Sequence, residues 1–398
     1  MKKGWKYVTL GEVATFSRGL TYSKNDEVKI SDKIVLRSNN VDLSSGKLNF
    51  DELKYLRPGF DIPNEKIVRE GCLLMCMSNG SKIHLGKVAL IDKNYGYAFG
   101  GFMALVTPNK ELNPIFFYYS LSSPKYKYFI KQLSAGANIN NIKVKELELF
   151  PLPLPPLSEQ EEIVTRLDSS FAKIDAVKAN AKRELDEAKA LFQSSLSEMM
   201  KPKEGWEEKT LGEIGTFKRG GNFSKNDFQE SGFPCIHYGQ IHTKLGIKTD
   251  NNLTFVSDEL VKKDRCAKHG DLIIAITSED NEGSCKCTAW MGNYDVYVGA
   301  HAAIFSHSCH PVFMSYYFLS PLFQKEKLNY THGFKVVEIN PKDIAKIPLS
   351  LPPLSEQESI VSRLDAISEK VKKIEACYNT TVRECDALKQ AILKEIFE

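Results

Sequence analysis

The sequence lacks the short motifs by which the commonest catalytic sites are recognised. It contains no Gly-x-Gly-x-x-Gly fingerprint for a dinucleotide or methyl donor, and no Gly-x-Ser-x-Gly nucleophile elbow. Residues 80–88 come nearest to a phosphate-binding loop, but five residues separate their glycines where the motif needs four, and Val88 replaces the required hydroxyl. Each Pro-Pro pair follows Leu, whereas amino-methyltransferases have Asp or Asn there. We therefore expect a chain that is not an enzyme.

Regular cysteine spacing and long apolar runs are lacking too. The nine cysteines are too unevenly spaced for the disulfide framework of a secreted protein. Cys285-x-Cys287 and Cys309-His310 could bind zinc, but their spacing fits no common zinc motif, so we expect no metal site. No apolar run is long enough to span a membrane, and residues 1–5 do not resemble a signal peptide. These absences predict a cytoplasmic protein that does not enter membranes.

Charge is present, but it is unevenly distributed. The net charge of the 398-residue chain is only +3. Residues 1–150 carry 22 basic and 14 acidic side chains, whereas residues 204–350 carry 16 and 18. The first block can therefore attract a polyanion, while the second depends on a local patch or on a partner for contacts to phosphate. A charge imbalance without function explains the same numbers equally well.

The chain is a tandem repeat. Residues 154–168 and 351–365 are identical at 13 of 15 positions, and residues 4–26 match residues 205–227 at 14 of 23. Each repeat thus predicts a globular block followed by a helical segment. Two similar faces related by an approximate twofold axis suit a target with two separated parts.

Each globular block has the pattern of a mixed α+β domain, with short β-type runs separated by turn residues and one aromatic-rich helix. The predicted fold class is α+β, with two tandem globular domains separated by two long antiparallel helices and related by an internal pseudo-twofold repeat. We predict globular domains at residues 1–153 and 204–350, and helical regions at 154–203 and 351–398.

A long helix is predicted after each Leu-Pro-Pro segment. Ser158 with Glu161, and Ser355 with Glu358, have the spacing of a capping box, which predicts a helix start at each Ser. Roughly 40 residues with a rise of about 1.5 Å each give a helix of about 60 Å. Apolar residues recur at the spacing of a coiled coil, so the two helices are expected to pack antiparallel as a rod. Packing of each stripe on its own globular block is the alternative. The predicted packing residues are Ile163, Leu167, Phe171, Ile174, Ile360, Leu364, Ile367, Val371 and Ile374.

Residues 152–164, their copy at 351–361, and the Leu-Gly-Glu starts at 10–13 and 211–214 resemble the specificity subunit of Type I restriction–modification systems. The Pro-Pro-Leu-x-Glu-Gln signature occurs twice, each time before a long helix, and the similarity spans essentially the whole chain. The resemblance implies two target recognition domains, each reading one half of an asymmetric bipartite DNA site. It also implies two conserved helices that set the spacing between the half-sites, and no enzymatic activity.

The same resemblance implies partners and cofactors. A specificity subunit binds double-stranded DNA and docks two adenine methyltransferase subunits, and with restriction (translocase) subunits it forms an ATP-dependent nuclease. S-adenosylmethionine, ATP and Mg are therefore expected on the partner subunits, and no cofactor is expected on this chain.

Polar loop residues are the candidates for DNA contact, because Arg and Lys pair with guanine and Asn and Gln with adenine. Arg18 and Arg219 lie in a motif that both repeats share, which favours a structural or phosphate-binding role. Positions that differ between the repeats are better candidates for specificity, and an exposed turn residue is the alternative for every one. The predicted DNA-binding residues are Arg18, Lys24, Arg37, Asn39, Asn40, Asn79, Lys82, Asn138, Asn140, Arg219, Lys225, His237, Tyr238, Gln240 and Lys335.

Two other functions are compatible with parts of this pattern. A structural coiled-coil adaptor would join proteins through its two globular blocks, and would associate with DNA only weakly and without dependence on salt. An autonomous nuclease or methyltransferase would need catalytic motifs that the sequence lacks. DNA recognition on behalf of partner enzymes accounts for the duplication, the long helices and the missing motifs together.

Overall fold

The chain folds into two compact units. The computed structural model describes residues 5–43, 45–135, 141–331, 333 and 336–398. Unit 1 comprises Met1–Ala181 and Asn379–Glu398, and unit 2 comprises Lys182–Tyr378. Each of the two long helices contributes a segment to both units. The domain boundaries at residues 153, 203 and 350 stay a prediction.

Short strands dominate the globular part of unit 1. Its strands are β1 (Lys6–Thr9), β2 (Ala14–Arg18), β3 (Glu27–Val28), β4 (Lys33–Leu36), β5 (Lys54–Leu56), β6 (Leu73–Cys76), β7 (Val88–Leu90), β8 (Ala98–Phe99), β9 (Met103–Pro108) and β10 (Pro151–Leu154). Its helices are α1 (Leu10–Val13), α2 (Pro114–Ser120), α3 (Pro124–Ala135), α4 (Val144–Leu147) and the first part of α5 (Leu157–Met199). The strands form two four-stranded sheets, β2-β9-β6-β7 and β3-β5-β4-β8, and the pair β1-β10.

Unit 2 repeats this plan. Its strands are β11 (Glu207–Thr210), β12 (Gly215–Arg219), β13 (Phe233–Ile236), β14 (Lys248–Thr249), β15 (Thr254–Val256), β16 (Cys266–Ala267), β17 (Leu272–Ala275), β18 (Thr277–Ser278), β19 (Cys287–Trp290), β20 (Val296–Val298), β21 (Ala302–His307), β22 (Val337–Glu338) and β23 (Pro348–Leu351). Its helices are α6 (Leu211–Ile214), α7 (Tyr238–Thr243), α8 (Pro311–Leu319), α9 (Pro321–Glu326), α10 (Pro341–Ile344) and α11 (Leu354–Phe397), which continues into unit 1. The sheets are β12-β21-β17-β19-β14, β15-β13-β20-β16, β11-β23 and β18-β22.

The central strand of each unit separates two hydrophobic cores. In β6, Leu73 and Met75 pack with the helices, while Leu74 and Cys76 face a second core with side chains of the other sheet. Residues of β17 alternate in the same way between two cores of unit 2. Because successive strand residues point to opposite faces, a strand buried on both faces reads as a continuous apolar run. The predicted α+β class is confirmed.

The two ends of each globular block pair with each other. β1 runs antiparallel to β10, with Lys6 opposite Leu154. β11 and β23 form the same pair in unit 2, with Glu207 opposite Leu351. The opening of each repeat therefore lies beside the segment that leads into the long helix.

The Glu-Gln pair of the signature motif attaches each helix to its block. Gln160 is fully buried; its side-chain amide donates to the carbonyl oxygens of Pro155 and Glu111, at 2.8 and 2.9 Å, and accepts from the Asn113 N–H at 2.8 Å. Gln357 repeats this arrangement with Pro352 and the His310 N–H. Buried amides of this kind are costly to leave unpaired.

Two further contacts are duplicated around these glutamines. The indole N–H of Trp5 donates to Glu159 Oε1 at 2.8 Å, and Trp206 donates to Glu356 in the same way. A tyrosine hydroxyl of α2 donates to Asp168 on α5, and Tyr316 of α8 donates to Asp365 at 2.6 Å. The repeated motif is therefore a set of paired side chains rather than a simple helix start.

The helix starts differ by one residue from the prediction. The helices α5 and α11 begin at Leu157 and Leu354, so Ser158 and Ser355 lie inside the first turn rather than at the cap position. The glutamate and glutamine that follow each serine bond to the globular block. These tertiary contacts, rather than a serine cap, position the start of each helix.

The helices pack antiparallel within each unit. In unit 1, Lys178 pairs with Asp386 and Lys389 with Asp175, at 2.9 and 2.6 Å. In unit 2, Lys189 pairs with Glu375 at 2.7 Å. These pairs are partly exposed, so each contributes little to stability, and the direction of packing follows from the buried stripe. The antiparallel packing that the sequence predicts is confirmed in each unit.

The predicted packing residues are buried to different degrees. Fully or nearly fully buried are Ile163, Leu167, Ile174, Ile360 and Leu364, and partly buried are Phe171, Ile367, Val371 and Ile374. The stripe shifts towards the end of α11, where Leu388 is 51% exposed and Leu393 is buried. The last turn packs on α2, with the Phe397 ring 5.1 Å from that of Phe116.

Replacement of Gln160 by Leu is expected to destabilise unit 1. The change removes three hydrogen bonds and leaves buried backbone groups unpaired, which predicts a loss of about 2–4 kcal/mol in the free energy of unfolding. Calorimetric unfolding measures the effect. Gln132→Leu is the matched control, because Gln132 is exposed on α3. Equal losses for both variants would contradict the role assigned to Gln160.

His307, at the end of β21, predicts a pH dependence of unit 2. Burial lowers its pKa from 6.5 to about 4. Between these values the unfolded chain binds a proton that the folded unit does not, so stability is complete above pH 6.5 and falls as the pH falls towards 4. The loss reaches about 3 kcal/mol at most.

Unfolding of the wild type and of His307→Gln across this range checks the assignment. The difference between the two curves should depend on pH with the sign just given. A constant difference from pH 4 to 7 would be inconsistent with it.

Candidate nucleic-acid interface

The shared Arg-Gly motif is a point where two backbone segments cross closely. A Cβ atom on Gly19 would lie 2.0 Å from the carbonyl oxygen of Gly100, and one on Gly220 would lie 2.2 Å from that of Gly299. Only glycine allows this approach. The crossing brings the turn after each motif next to the loop that precedes β9 or β21.

The turn that follows is held by its own side chains. Ser23 donates from its N–H and its hydroxyl to Asp26, and Ser224 does the same with Asp227. The hydrogen bonds from Ser23 lower the pKa of the Asp26 carboxyl, which therefore stays ionised. The lysine between them, Lys24 in unit 1, is exposed, as is its counterpart in unit 2. The shared Ser-Lys-Asn-Asp sequence is thus a fixed turn that presents a cation.

In unit 2 this turn forms one wall of a cleft of about 600 Å³. We name it the polar cleft, and its polar lining side chains are Asn222, Ser224, Lys225, Asp227, His237, Tyr238 and His301. Three predicted residues, Lys225, His237 and Tyr238, therefore come together from segments that are distant in sequence.

Aromatic and imidazole rings line the polar cleft. The His237 ring lies 4.6 Å from that of Tyr238, which in turn lies 5.0 Å from His301. Burial, followed by the charge of Lys225, lowers the pKa of His237, so its ring is neutral at neutral pH. Its Nδ1 accepts from the Gly239 N–H, which leaves Nε2 as the N–H donor. The cleft thus presents a cation, a phenol and imidazole groups, which suit phosphate oxygens and base edges, while the one carboxylate in its lining, Asp227, accepts from Ser224.

The same positions of unit 1 carry different side chains. Arg37 occupies the position of His237 and lies near Tyr22. Burial raises the pKa of Tyr22, and the charge of Arg37 opposes part of this rise. Among the described residues, Arg37 Nε is buried without a hydrogen-bond acceptor. Asn79 donates to Ser38 Oγ at 2.8 Å and so joins two predicted loops. Asn79 is therefore joined to the loop that carries Arg37, and Arg37 lies near Tyr22, two residues before Lys24.

Asn40 and Gln240 have a structural role in common. The side-chain oxygen of Asn40 accepts from the Arg37 N–H at 2.8 Å, and that of Gln240 accepts from the His237 N–H at 3.0 Å. Both residues are buried, and both amide protons of Asn40 are donated to backbone carbonyls. They shape the loops that carry the neighbouring side chains, and their contact with DNA stays a prediction.

The remaining predicted residues differ in whether their side chains already form hydrogen bonds or ion pairs within the chain. Arg219 donates to the Ala300 carbonyl at 2.9 Å and pairs with Glu338 at 2.7 Å, which gives it a structural role. Arg18 is exposed, and no ion-pair partner for it occurs in the described parts of the chain. Asn39 and Lys82 each donate to a backbone carbonyl. Asn138, Asn140 and Lys335 lie outside the described residues.

Two residues at these faces were missed by the sequence analysis. Phe102 is 71% exposed, and its carbonyl accepts from Met77 beside the Asn79 loop. His301 occupies the equivalent position in the polar cleft and contacts Thr277 Oγ1 at 3.1 Å. The available signal was positional, since each residue follows two small residues at matching places in the two repeats.

Neither a metal cluster nor a membrane span is found in the parts of the chain that the structure describes. Those residues contain no group of three or more His, Cys, Asp or Glu side chains placed to hold a metal ion. No helix among them is long and apolar enough to cross a membrane.

Comparison with known proteins identifies the family. The model of the Type I restriction modification DNA specificity domain matches the chain twice, over residues 2–187 and 203–380. The chain is 27% identical to the EcoKI specificity subunit of Escherichia coli K12, over all of this chain and 89% of that one. It is 26% identical to the StySPI specificity subunit of Salmonella potsdam, with the same coverage.

Solved structures show the same fold. A chain from a type I R-M system has a TM-score of 0.74 at 22% identity, over 99% of this chain and 97% of that chain. The HsdS subunit of Thermoanaerobacter tengcongensis has a TM-score of 0.53 at 21% identity, over 99% and 96%. Two family domains follow each other along the chain, as the duplication predicted. The chain therefore belongs to the Type I restriction modification DNA specificity domain family, whose members are non-catalytic components that recognise DNA sequences.

Proposed function

We propose that each unit reads one half of an asymmetric, bipartite DNA site. The observation that carries this proposal is that equivalent positions of the two units hold different side chains on the same backbone. Arg37 and Phe102 of unit 1 correspond to His237 and His301 of unit 2, while the glycine crossing and the Ser-Lys-Asn-Asp turn are shared. Different donors and acceptors on one scaffold select different bases.

Within each unit, the residues shared by the repeats and the residues that differ between them have separate roles in binding DNA. The exposed lysines of the turn contact phosphate, which gives affinity without sequence preference. The variable residues at the positions of Arg37 and Tyr238 contact base edges, and Phe102 supplies an apolar surface for a thymine methyl group or a base face. The arrangement supports a reader that positions DNA with one set of side chains and selects it with another.

Partner subunits supply the chemistry in this proposal. The chain docks two adenine methyltransferase subunits and, with restriction subunits, forms the complete complex in the cytoplasm. S-adenosylmethionine, ATP and Mg bind to those partners. The support is the family membership, together with the absence from the sequence of the usual motifs for these ligands.

Methylation mapping tests the proposal directly. DNA is sequenced for modified adenine from cells that express the neighbouring methyltransferase with and without this chain. We expect a two-part motif that disappears when the chain is deleted. An unchanged pattern in cells with active methyltransferase would reject the proposal and favour the structural adaptor.

Substitutions in the polar cleft are expected to change one half of that motif. Tyr238→Ala and His301→Ala remove base contacts worth about 1–3 kcal/mol each, so methylation at the half-site read by unit 2 should weaken or relax. The half-site read by unit 1 should remain as in the wild type. Tyr128→Ala is the matched control, since Tyr128 is 65% exposed on α3 of unit 1. Equal changes in both half-sites would argue against separate reading.

The turn lysines are expected to set the salt dependence. Replacing Lys24 or Lys225 by Gln removes one phosphate contact, so the slope of log affinity against log salt should fall by roughly one in each case. Affinity of the assembled methyltransferase complex for its own site, measured at several salt concentrations, gives this slope. Lys370→Gln, an exposed change on α11, should leave it unaltered. A slope unchanged in the two turn variants would remove these lysines from the interface.

A further inference from the structure

The main sheets of the two units end differently. In unit 2 the fifth strand, β14, extends the sheet beyond β19, whereas the equivalent sheet of unit 1 ends at β7. The strands β7 and β19 are equivalent, because Leu74 pairs with Ala89 as Ile273 pairs with Thr288. Among the residues that the structure describes, unit 1 therefore has an open sheet edge where unit 2 has a covered one. An open edge offers unpaired backbone groups to another strand.

Four contacts hold β14 in place. It runs parallel to β19, and the carbonyl oxygens of Ile247 and Thr249 accept from the N–H groups of Ala289 and Met291, at 2.9 and 2.8 Å. Ile247 packs against the core beneath the long helices. Lys248 Nζ reaches α11 and pairs with an aspartate there at 2.7 Å. Two backbone hydrogen bonds, the apolar side chain of Ile247 and the charged side chain of Lys248 thus hold the strand in place.

The matching groups of unit 1 are without such a strand. Leu90 and Asp92 occupy the positions of Ala289 and Met291, and their N–H groups have no acceptor among the described residues. Asp168 corresponds to the aspartate that Lys248 contacts and is likewise bonded to a tyrosine hydroxyl. Within the described parts of the chain, Asp168 has no cationic partner, and it is exposed.

A cleft of about 1290 Å³ lies beside the start of β7, lined there by residues 85–88 and adjoining the edge that carries Leu90 and Asp92, and we name it the edge cleft. Its lining includes Val88 of β7, Tyr119 of α2, and Asp168 and Phe171 of α5. Most lysines around it already have partners: Lys82, Lys87, Lys127, Lys178 and Lys389 all donate to oxygen acceptors. Lys47 and Lys131 also line it. Of the lining carboxylates on the long helices, Asp175 and Asp386 pair with Lys389 and Lys178, whereas Asp168 has no cationic partner among the described residues and can be neutralised by an incoming segment.

The loop of unit 1 that corresponds to β14 does not suit this place. Unit 2 has Gly246-Ile247-Lys248, whereas unit 1 has Gly46-Lys47-Leu48, so the apolar and basic residues are exchanged. Because side chains alternate along a strand, this loop would point its lysine at the core and its leucine at Asp168. It forms a turn instead, in which the Asp42 N–H donates to the Lys47 carbonyl at 2.9 Å.

We propose that the edge cleft of unit 1 binds an extended segment of a partner protein, added as a strand parallel to β7. The segment carries an apolar residue that fills the space next to Tyr119 and Phe171, followed by Lys or Arg that pairs with Asp168. Its carbonyl oxygens accept from the Leu90 and Asp92 N–H groups. This interaction goes beyond DNA reading, since Leu90, Asp92, Tyr119, Asp168 and Phe171 are not among the predicted DNA contacts, although Lys82, which lines the same cleft, is one of them.

A peptide copied from unit 2 is the probe. Residues 244–251 of this chain, Lys-Leu-Gly-Ile-Lys-Thr-Asp-Asn, cover the equivalent edge in unit 2. Labelled at its N-terminus and titrated with the full-length protein, the peptide should bind with a measurable rise in fluorescence anisotropy. Its variant with Glu at the second lysine should bind at least about fivefold more weakly, because the ion pair becomes a repulsion.

Variants of the protein locate the binding in unit 1. Asp168→Asn should weaken binding of the original peptide about three- to fivefold, and it should reduce the preference for Lys over Glu in the peptide. Asp365→Asn is the matched control in unit 2 and should leave binding unchanged. Peptide binding that depends on Asp365 rather than Asp168, or no binding at all, would overturn the proposal.

A double variant tests the site without a charge change in the cleft wall. Lys47→Ile with Leu48→Lys exchanges the two residues of the unit 1 loop and gives it the pattern of β14. The loop should then cover β7, abolish peptide binding and protect the Leu90 and Asp92 amides from hydrogen exchange. DNA methylation specificity should stay as in the wild type, so failure of this proposal is distinguishable from failure of the proposed function. Undiminished peptide binding by a folded double variant would contradict the proposal.

Discussion

A single buried amide in each repeat fixes the long helix to its globular block. Gln160 and Gln357 each bond to the backbone at the start of an aromatic helix and to the proline segment just before them. Because buried amide groups are strongly disfavoured without partners, each helix start and its domain can occupy only one arrangement. The position of the candidate DNA-contact loops relative to their own helix segment follows from these bonds. The signature motif is thus explained by geometry rather than by chemistry at a reactive site.

In each unit, some residues hold the loop backbone in place, and neighbouring residues on the same loops vary between the repeats. Asn40 and Gln240 differ in size but perform the same bond to the loop backbone. Their neighbours Arg37 and His237 differ in charge and shape: His237 lines the polar cleft, and Arg37 is half-buried near Tyr22. Under the proposed function, recognition therefore changes by substitution at Arg37 and His237 while the supporting bonds are kept. Duplication of such a unit provides two surfaces that are free to diverge.

The sequence predicts the architecture well and the site only in part. The duplication, the strands and the two helices can be read from local or periodic sequence patterns, because the elements that form the core need apolar residues at regular spacing. The predicted helix start at Ser158 differs by one residue from the observed start at Leu157, because tertiary hydrogen bonds rather than the serine position the helix end. The burial of Asn40 depends on contacts with residues 49 and 52, which no local pattern reveals. Phe102 and His301 lie in short loops without periodicity, so only the superposition of the repeats exposes them.

The division of the chain has a consequence for the order of folding. Unit 2 is continuous in sequence, but unit 1 needs Asn379–Glu398, which follow every residue of unit 2. Leu393 and Phe397 are buried in the core of unit 1, the latter against Phe116. During synthesis from the N-terminus, unit 2 can therefore complete its core before unit 1 does, although unit 1 emerges first. The core of unit 1 is therefore incomplete until residues 379–398 have been translated, and in a partly synthesised protein the side chains that Leu393 and Phe397 cover remain exposed.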